Sequence, residues 1–360
     1  LKVLLLEGRG ECGSHCDTLE LGEPGFLHNT HATMMASAMN PAMGDLELEK
    51  YGVEFVQADI ILSHIFKDGT NIIYGNEFEI TAKSWEKHSE RDGRYMRLMD
   101  EMFTPRMKEL TDLLHDAQCD KPNPATMKKF GMILGPFFGQ IAPDHPLPEL
   151  MQLNGFEVAD ILFDSDKTKA LTTTLNFAGG NGGTRYKGMG AMGVMLASAI
   201  SGAVFPFHYV RGGSHNLTHG LLRCAVGHGV TCWQACPVDK ILVKDGEVVG
   251  VKTHPLAAIP DQEITAKAVV SNVSLKPTFL DMIGPEALGE DMTKLIKSFR
   301  YDENCVCSMN LELDGDPEFL SADYDDGVQR CPNGFFGVES ATELSAHIES
   351  NAKKVIYDKP

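Results

Sequence analysis

Apolar positions along this chain switch between short blocks and longer periodic stretches, and each rhythm predicts a different element. Residues 2–7 form an apolar run closed by Glu7 and followed by Gly8, Gly10 and Gly13, the pattern of a buried strand that ends in a carboxylate and a glycine-rich turn. Residues 54–66 and 70–74 are apolar and rich in β-forming side chains, and Lys67-Asp68-Gly69 between them predicts a tight hairpin. From residue 84 to about 118, Tyr95, Leu98, Met99, Met102, Phe103, Met107, Leu110, Leu113 and Leu114 recur at helical spacing with charges between them. That predicts an amphipathic helix with Ser84 as N-cap and Pro105 as the point where it kinks or divides. Helical spacing resumes over 147–175 and 191–203.

Arg211-Gly212-Gly213-Ser214 opens a further helix over 216–226, stopped by Gly227 and Gly229. Strands are expected at 230–233, 238–243, 247–253 and 264–270, with Lys244-Asp245-Gly246 as a hairpin turn. Helix, strand, hairpin and strand in this order resemble half of a Rossmann-type unit with an attached β-meander.

Composition narrows the class. With 360 residues, 43% hydrophobic and 23% charged, the chain has material for an ordinary folded core and for two domains, or one domain with a large insertion. Its net charge of −18 argues against a nucleic-acid partner. The charge is uneven: residues 167–238 hold no Asp or Glu, while Lys167, Lys169, Arg185, Lys187, Arg211 and Arg223 supply six cations. Two compatible explanations are open: a buried segment that excludes carboxylates, or a face turned toward an anionic or strongly apolar ligand. No window has the ~18 apolar residues of a membrane span, and the apolar N-terminal run is too short for a signal peptide. Nine scattered cysteines do not form a disulfide framework, so a reducing, cytoplasmic setting is expected.

Several motifs offer chemistry. Gly188-Met-Gly190-Ala-Met-Gly193 satisfies the dinucleotide-loop pattern, but no strand precedes it and no acid follows before Asp239. Close helix packing is the better account of these glycines. Glu7 supplies the acid that this motif lacks, since a carboxylate at the end of a Rossmann strand accepts hydrogen bonds from ribose hydroxyls. Cys224, His228, Cys232 and Cys236 fall at steps of four, and His215 and His219 one turn apart. Gly227 and Gly229 break the first set, and the second lacks a third ligand, so no metal site is expected.

Three segments together resemble the phytoene-desaturase-like branch of the amine oxidase, carotenoid desaturase and retinol saturase superfamily. They are Val3 to Glu7 with Gly8-Arg9-Gly10-Glu11-Cys12-Gly13-Ser14; Pro24-Gly25-Phe26-Leu27-His28-Asn29; and Gly212-Gly213-Ser214-His215-Asn216-Leu217 with Pro237-Val238-Asp239-Lys240-Ile241, Asp245-Gly246 and the run ending at Asn272. The resemblance implies an FAD-dependent oxidoreductase of desaturase or saturase type, moving a hydride between the flavin and a lipophilic, isoprenoid-like substrate. By position it implies Glu7 on the ribose, Arg9, Gly13 and Ser14 along the pyrophosphate, Val238 holding adenine through its backbone, and Asn272 ending a strand beneath the cofactor. It makes His31, just after the PGF segment, the candidate base. Departures are Ser14 in place of the second glycine and Asn29 in place of the usual Asp. The first glycine fingerprint would precede Leu1 and the closing segment would follow Pro360, so the chain reads as a fragment.

The expected fold is therefore α/β: an incomplete Rossmann-like FAD-binding domain with an attached β-meander, over residues 1–40 and 205–275. A mixed α+β substrate-binding domain is expected over 41–204 and 276–360. In it the helix from Ser84 and the Met-rich, acid-poor stretch would line an apolar cavity. The implied partner is a small lipophilic substrate, with peripheral membrane contact compatible with it and nucleic acid excluded. Two alternatives stand beside this reading: a non-catalytic binder of prenylated proteins like the GDP dissociation inhibitors and Rab escort proteins, and a flavin amine oxidase.

Overall fold

Both hairpin turns named by the sequence are formed. A computed structural model describes residues 1–13, 15–35, 41–110, 112–113, 124–178, 184–188, 190–198, 208–301 and 309–357. In chain order its first elements are strands β1 (Leu4–Leu6), β2 (Thr18–Glu20), β3 (Leu27–Asn29), β4 (Ile60–Ile65) and β5 (Asn71–Gly75). Helices α1 (Phe78–Glu86), α2 (Glu90–Phe103), α3 (Pro124–Ile141), α4 (Gly155–Leu162), α5 (Asp166–Ala178), α6 (Gly190–Ser198) and α7 (His215–Gly227) follow. The chain continues through β6 (Thr231–Trp233), β7 (Val238–Lys244), β8 (Glu247–Thr253), β9 (Glu263–Thr265) and β10 (Gly334–Phe335). It divides into two compact units, a mixed α/β arrangement built on small sheets.

The first unit comprises Leu1–Thr33, Leu46–Glu54 and Val210–Tyr301. Here β1 and β6 pair in parallel, Leu4 opposite Thr231 and Leu6 opposite Trp233. The pairing runs on past the strand end: the Glu7 amide donates to the Trp233 carbonyl at 2.9 Å and the Cys236 amide to the Glu7 carbonyl at 2.7 Å. β2 and β3 form an antiparallel hairpin with Thr18 opposite Asn29. β7, β8 and β9 form the expected antiparallel meander. Its first turn places Asp245 at φ 52° and Gly246 at φ 83°, the two left-handed residues that a type I′ hairpin requires.

Residues 46–54, placed by the sequence reading with the substrate domain, pack in this unit. The reason is local: Arg223 Nε donates to the Tyr51 carbonyl at 2.8 Å, and Gly220 of α7 leaves room for Val53. Two expectations for the strands also change. β1 is not buried, since Leu5 is 41% exposed. The strand expected at 264–270 stops at Thr265: the Ala266 amide still bonds the Val249 carbonyl, but the chain then leaves β8, and Val270 is 96% exposed.

The second unit comprises Met34–Asp45, Phe55–Tyr209 and Asp302–Pro360. β4 and β5 form an antiparallel hairpin and β10 adds to β4 in parallel. At the turn the Phe66 amide donates to the Thr70 carbonyl at 3.0 Å, Gly69 takes φ 83°, and the Asp68 carboxylate accepts the Thr70 amide. Both strands are buried apart from the half-buried Ile65, because α1 covers the hairpin and Ser84 Oγ accepts the Ile73 amide at 3.0 Å. Ser84 therefore lies inside a helix that starts earlier, at Phe78. The N-cap is Ser89, whose Oγ accepts the Asp92 amide and starts α2. α2 ends at Phe103, and Pro105 occupies the 3₁₀ turn that follows, so the division at Pro105 is real.

The core of this unit is aromatic. Trp85 meets Tyr74 and Phe163 edge-on at 5.4 and 5.6 Å, and Tyr95 meets Phe137 at 5.4 Å. Asp92, fully buried in α2, accepts the backbone amides of Asp164 and Ser165 at 2.9 and 3.1 Å just before α5. A buried carboxylate is thereby compensated by the unsatisfied donors of a helix start.

The acid-free stretch is explained largely here. In α5 and α6, Ala170, Leu171, Ala191, Val194, Met195 and Ala197 join Met96 and Met99 of α2 in one continuous core. These residues pack against one another as core. The cations of the stretch are met from outside it: Lys167 bonds Asp68, Lys169 lies 3.1 Å from Asp160, and Arg211 lies 2.7 Å from Glu54. Burial excludes acids from the helices, and these cations are already matched by carboxylates. The dinucleotide-like motif resolves in the same way. A Cβ on Gly190 would lie 2.3 Å from the Asn154 carbonyl oxygen, and one on Gly193 would lie 2.7 Å from the Asn176 amide. The glycines let α6 approach α4 and α5.

Candidate functional site

The first and third motif segments converge around the N-terminus of α7. Asn29 Oδ1, at the end of β3, accepts the Ser214 amide at 2.9 Å and the Thr18 hydroxyl at 2.7 Å, and Thr18 Oγ1 accepts the His215 amide at 3.1 Å. Gly213, at φ 110°, is required because a Cβ there would lie 2.4 Å from Thr18. Gly13, at φ 140°, plays the same part for the loop after β1, where a Cβ would meet Thr218 Oγ1 of α7 at 2.6 Å. Thr18 and Thr218 were not singled out by sequence reasoning. Their only signal is a small hydroxyl residue facing each motif glycine, which becomes visible once the pairing is known.

Glu7 sits at the C-terminal end of β1, half-buried. Its Oε1 accepts the Arg9 backbone amide at 2.7 Å, and its Oε2 has no hydrogen-bond partner among the described residues. One oxygen anchored and one open is a fitting acceptor for a sugar hydroxyl. The Arg9 guanidinium forms an ion pair with Asp17 at 2.8 Å. Asp17, a carboxylate not anticipated from the sequence, therefore matches the charge of the residue expected along the pyrophosphate.

Val238 begins β7, half-buried and opposite Thr253. Asn272 lies exposed in irregular chain, since the strand expected to carry it ends at Thr265. His31 is exposed, its ring edge-on to His15 at 4.7 Å and its Nδ1 2.8 Å from Thr30 Oγ1. Ser14 lies outside the described residues. Glu7, Arg9, Gly13, His31, Val238 and Asn272 all belong to the first unit.

The His215 and His219 rings lie tilted against each other at 5.0 Å, and burial together with the neighbouring imidazole pushes His215 below the usual histidine range. Among the described residues no group of three His, Cys, Asp or Glu side chains is arranged to hold a metal ion, and no helix is long and apolar enough to cross a membrane.

No family model matches the chain. One of the subunits of limonene dehydrogenase from Castellaniella defragrans is 26% identical over 353 residues, which span 96% of this chain and 61% of that protein. All-trans-zeta-carotene desaturase of Myxococcus xanthus is 35% identical over 83 residues, 23% of this chain and 15% of the desaturase. These matches make the chain similar in sequence to dehydrogenases and desaturases of the amine oxidase and desaturase-like family. In fold it superposes on the crystal structure of an oxidoreductase from Methanosarcina mazei with a TM-score of 0.50 at 13% identity, over 82% of this chain and 60% of that one. The chain thus spans about three-fifths of the length of its limonene dehydrogenase relative.

Proposed function

We propose that the protein is an FAD-dependent dehydrogenase or saturase of a lipophilic, isoprenoid-like substrate. The observation that carries this reading is the match along 96% of the chain to a protein named for limonene dehydrogenation. The shorter match to a carotene desaturase agrees with it, since limonene and carotene are both isoprenoid hydrocarbons. When bound, FAD supplies the acceptor or donor of the hydride that such a reaction moves at a C–H bond.

The chain's own residues bind and orient. Glu7 takes the ribose hydroxyls on its open carboxylate oxygen, and its anchored oxygen fixes the side-chain direction. Arg9, held by Asp17, together with Gly13 lies along the pyrophosphate. The Val238 backbone faces adenine, and Asn272 borders the cofactor. The residues present fit this role at Glu7 most clearly. In this reading β1, β6 and α7 form the cofactor-binding part of the first unit.

The experiment is reconstitution of the whole protein with FAD, followed by its visible spectrum and anaerobic addition of an isoprenoid hydrocarbon. Flavin absorption bleached by the hydrocarbon is expected. Absence of bound flavin overturns the reading.

A further inference from the structure

Two thiols that the proposed reaction does not use face each other beside Glu7. Cys12 lies in the turn after β1 and Cys232 at the centre of β6, and their sulfurs are 3.8 Å apart across 220 residues of sequence. Both side chains are half-buried and both cysteines are free. Cys224 and Cys236, by contrast, are buried.

The surroundings make the two sulfurs unequal. Gln234 Nε2 points a donor at Cys12 Sγ from 3.8 Å, a contact that Cys232 does not share. Cys232 is pushed up to about 11, chiefly by burial, with its hydrogen bond to Cys12 and the nearby Glu7 carboxylate adding to it. A disulfide needs the sulfurs about 2 Å apart, and the present separation exceeds that by less than the reach of a rotating cysteine side chain.

We propose that Cys12 and Cys232 form a thiol–disulfide exchange site for low-molecular-weight disulfides, with Cys12 attacking and Cys232 resolving. The Cys12 thiolate attacks one sulfur of the small disulfide and expels the other as a thiolate, leaving a mixed disulfide on Cys12. Cys232 gives its proton to that departing thiolate and attacks Cys12 Sγ, expelling the second small thiolate, which takes up the proton that Cys12 released to solvent. Two protein thiols are oxidised to one disulfide, and one small disulfide is reduced to two thiols. The product ties the turn after β1 to the strand whose Trp233 carbonyl holds the Glu7 amide. The site stands whether or not the protein carries a flavin.

The test is to incubate the purified protein with oxidised glutathione, alkylate the remaining thiols under denaturing conditions, digest with trypsin and identify linked peptides by mass spectrometry. The free-thiol titre is expected to fall by two from the nine cysteines of the chain. Peptides 10–50 and 224–240 are expected to be linked in the wild type and in Cys16→Ser, and unlinked in Cys12→Ser and Cys232→Ser. Retention of all nine thiols, a stable glutathione adduct without a link, or a link that survives Cys12→Ser would each overturn the proposal. The wild-type measurement alone decides the first two outcomes, whether or not the variants fold.

Discussion

Asn29 Oδ1 accepts the Ser214 amide, 185 residues away, at 2.9 Å, and so joins the β2–β3 hairpin to the start of α7. The same oxygen accepts the Thr18 hydroxyl, so one side-chain atom serves two donors. Asn29→Ala leaves both without an acceptor and is expected to cost about 1–3 kcal/mol. Asn29→Asp keeps the acceptor and places negative charge at a helix N-terminus, so it should be neutral or stabilising. Urea unfolding of the two variants checks this, and equal loss in both would contradict the acceptor role.

Gly190→Ala and Gly193→Ala test what the dinucleotide-like motif does. A Cβ would lie 2.3 Å from the Asn154 carbonyl oxygen in the first variant and 2.7 Å from the Asn176 amide in the second. Overpacking of this kind costs about 1–3 kcal/mol. Both variants should lower the melting temperature of the second unit, while any FAD binding by the folded protein stays unchanged. A specific loss of FAD at unchanged stability would return the motif to the cofactor.

Stability should fall with acid through His64. This fully buried imidazole donates from Nε2 to the Val338 carbonyl at 2.7 Å, and burial pushes it down to about 4. The unfolded chain takes up a proton on this residue near pH ~6.5, whereas the folded chain does not until about 4, so its contribution is complete above the upper value and lost as pH falls between them. The difference amounts to about 3 kcal/mol. Denaturant unfolding from pH 7 to pH 4 should show a steeper loss in the wild type than in His64→Gln. Parallel curves would contradict it.

Glu7→Gln removes the charge but keeps the shape of the proposed ribose acceptor. Loss of a charge-assisted hydrogen bond of about 1.5–3 kcal/mol corresponds to roughly ten- to hundredfold weaker FAD binding. Fluorescence titration with FAD measures it, and an unchanged dissociation constant would remove Glu7 from the site.

Local patterns were legible in the sequence where a few neighbouring residues decide the geometry. Asp245-Gly246 and Lys67-Asp68-Gly69 specified their turns, and Gly227 and Gly229 specified the end of α7. Ser84 was misplaced because a serine at a helix start and a serine inside a helix look alike until the neighbouring strand is known: Ile73 supplies the donor that holds Ser84. The strand expected to reach Asn272 ends at Thr265 for a related reason, since strand length depends on continued pairing with a neighbouring strand that local sequence does not specify.

The sequence by itself determined the amphipathic pattern before Pro105, the two hairpin turns, the resemblance to desaturases at three motif segments and the candidate Glu7. Only the tertiary structure decided which glycines serve packing, that Asp17 neutralises Arg9, and that Cys12 meets Cys232. It also assigned most of the acid-free helices to a core. The division is physical: turns and periodicity depend on residues a few positions apart, whereas burial, charge pairing and close approach depend on side chains brought together from distant parts of the chain.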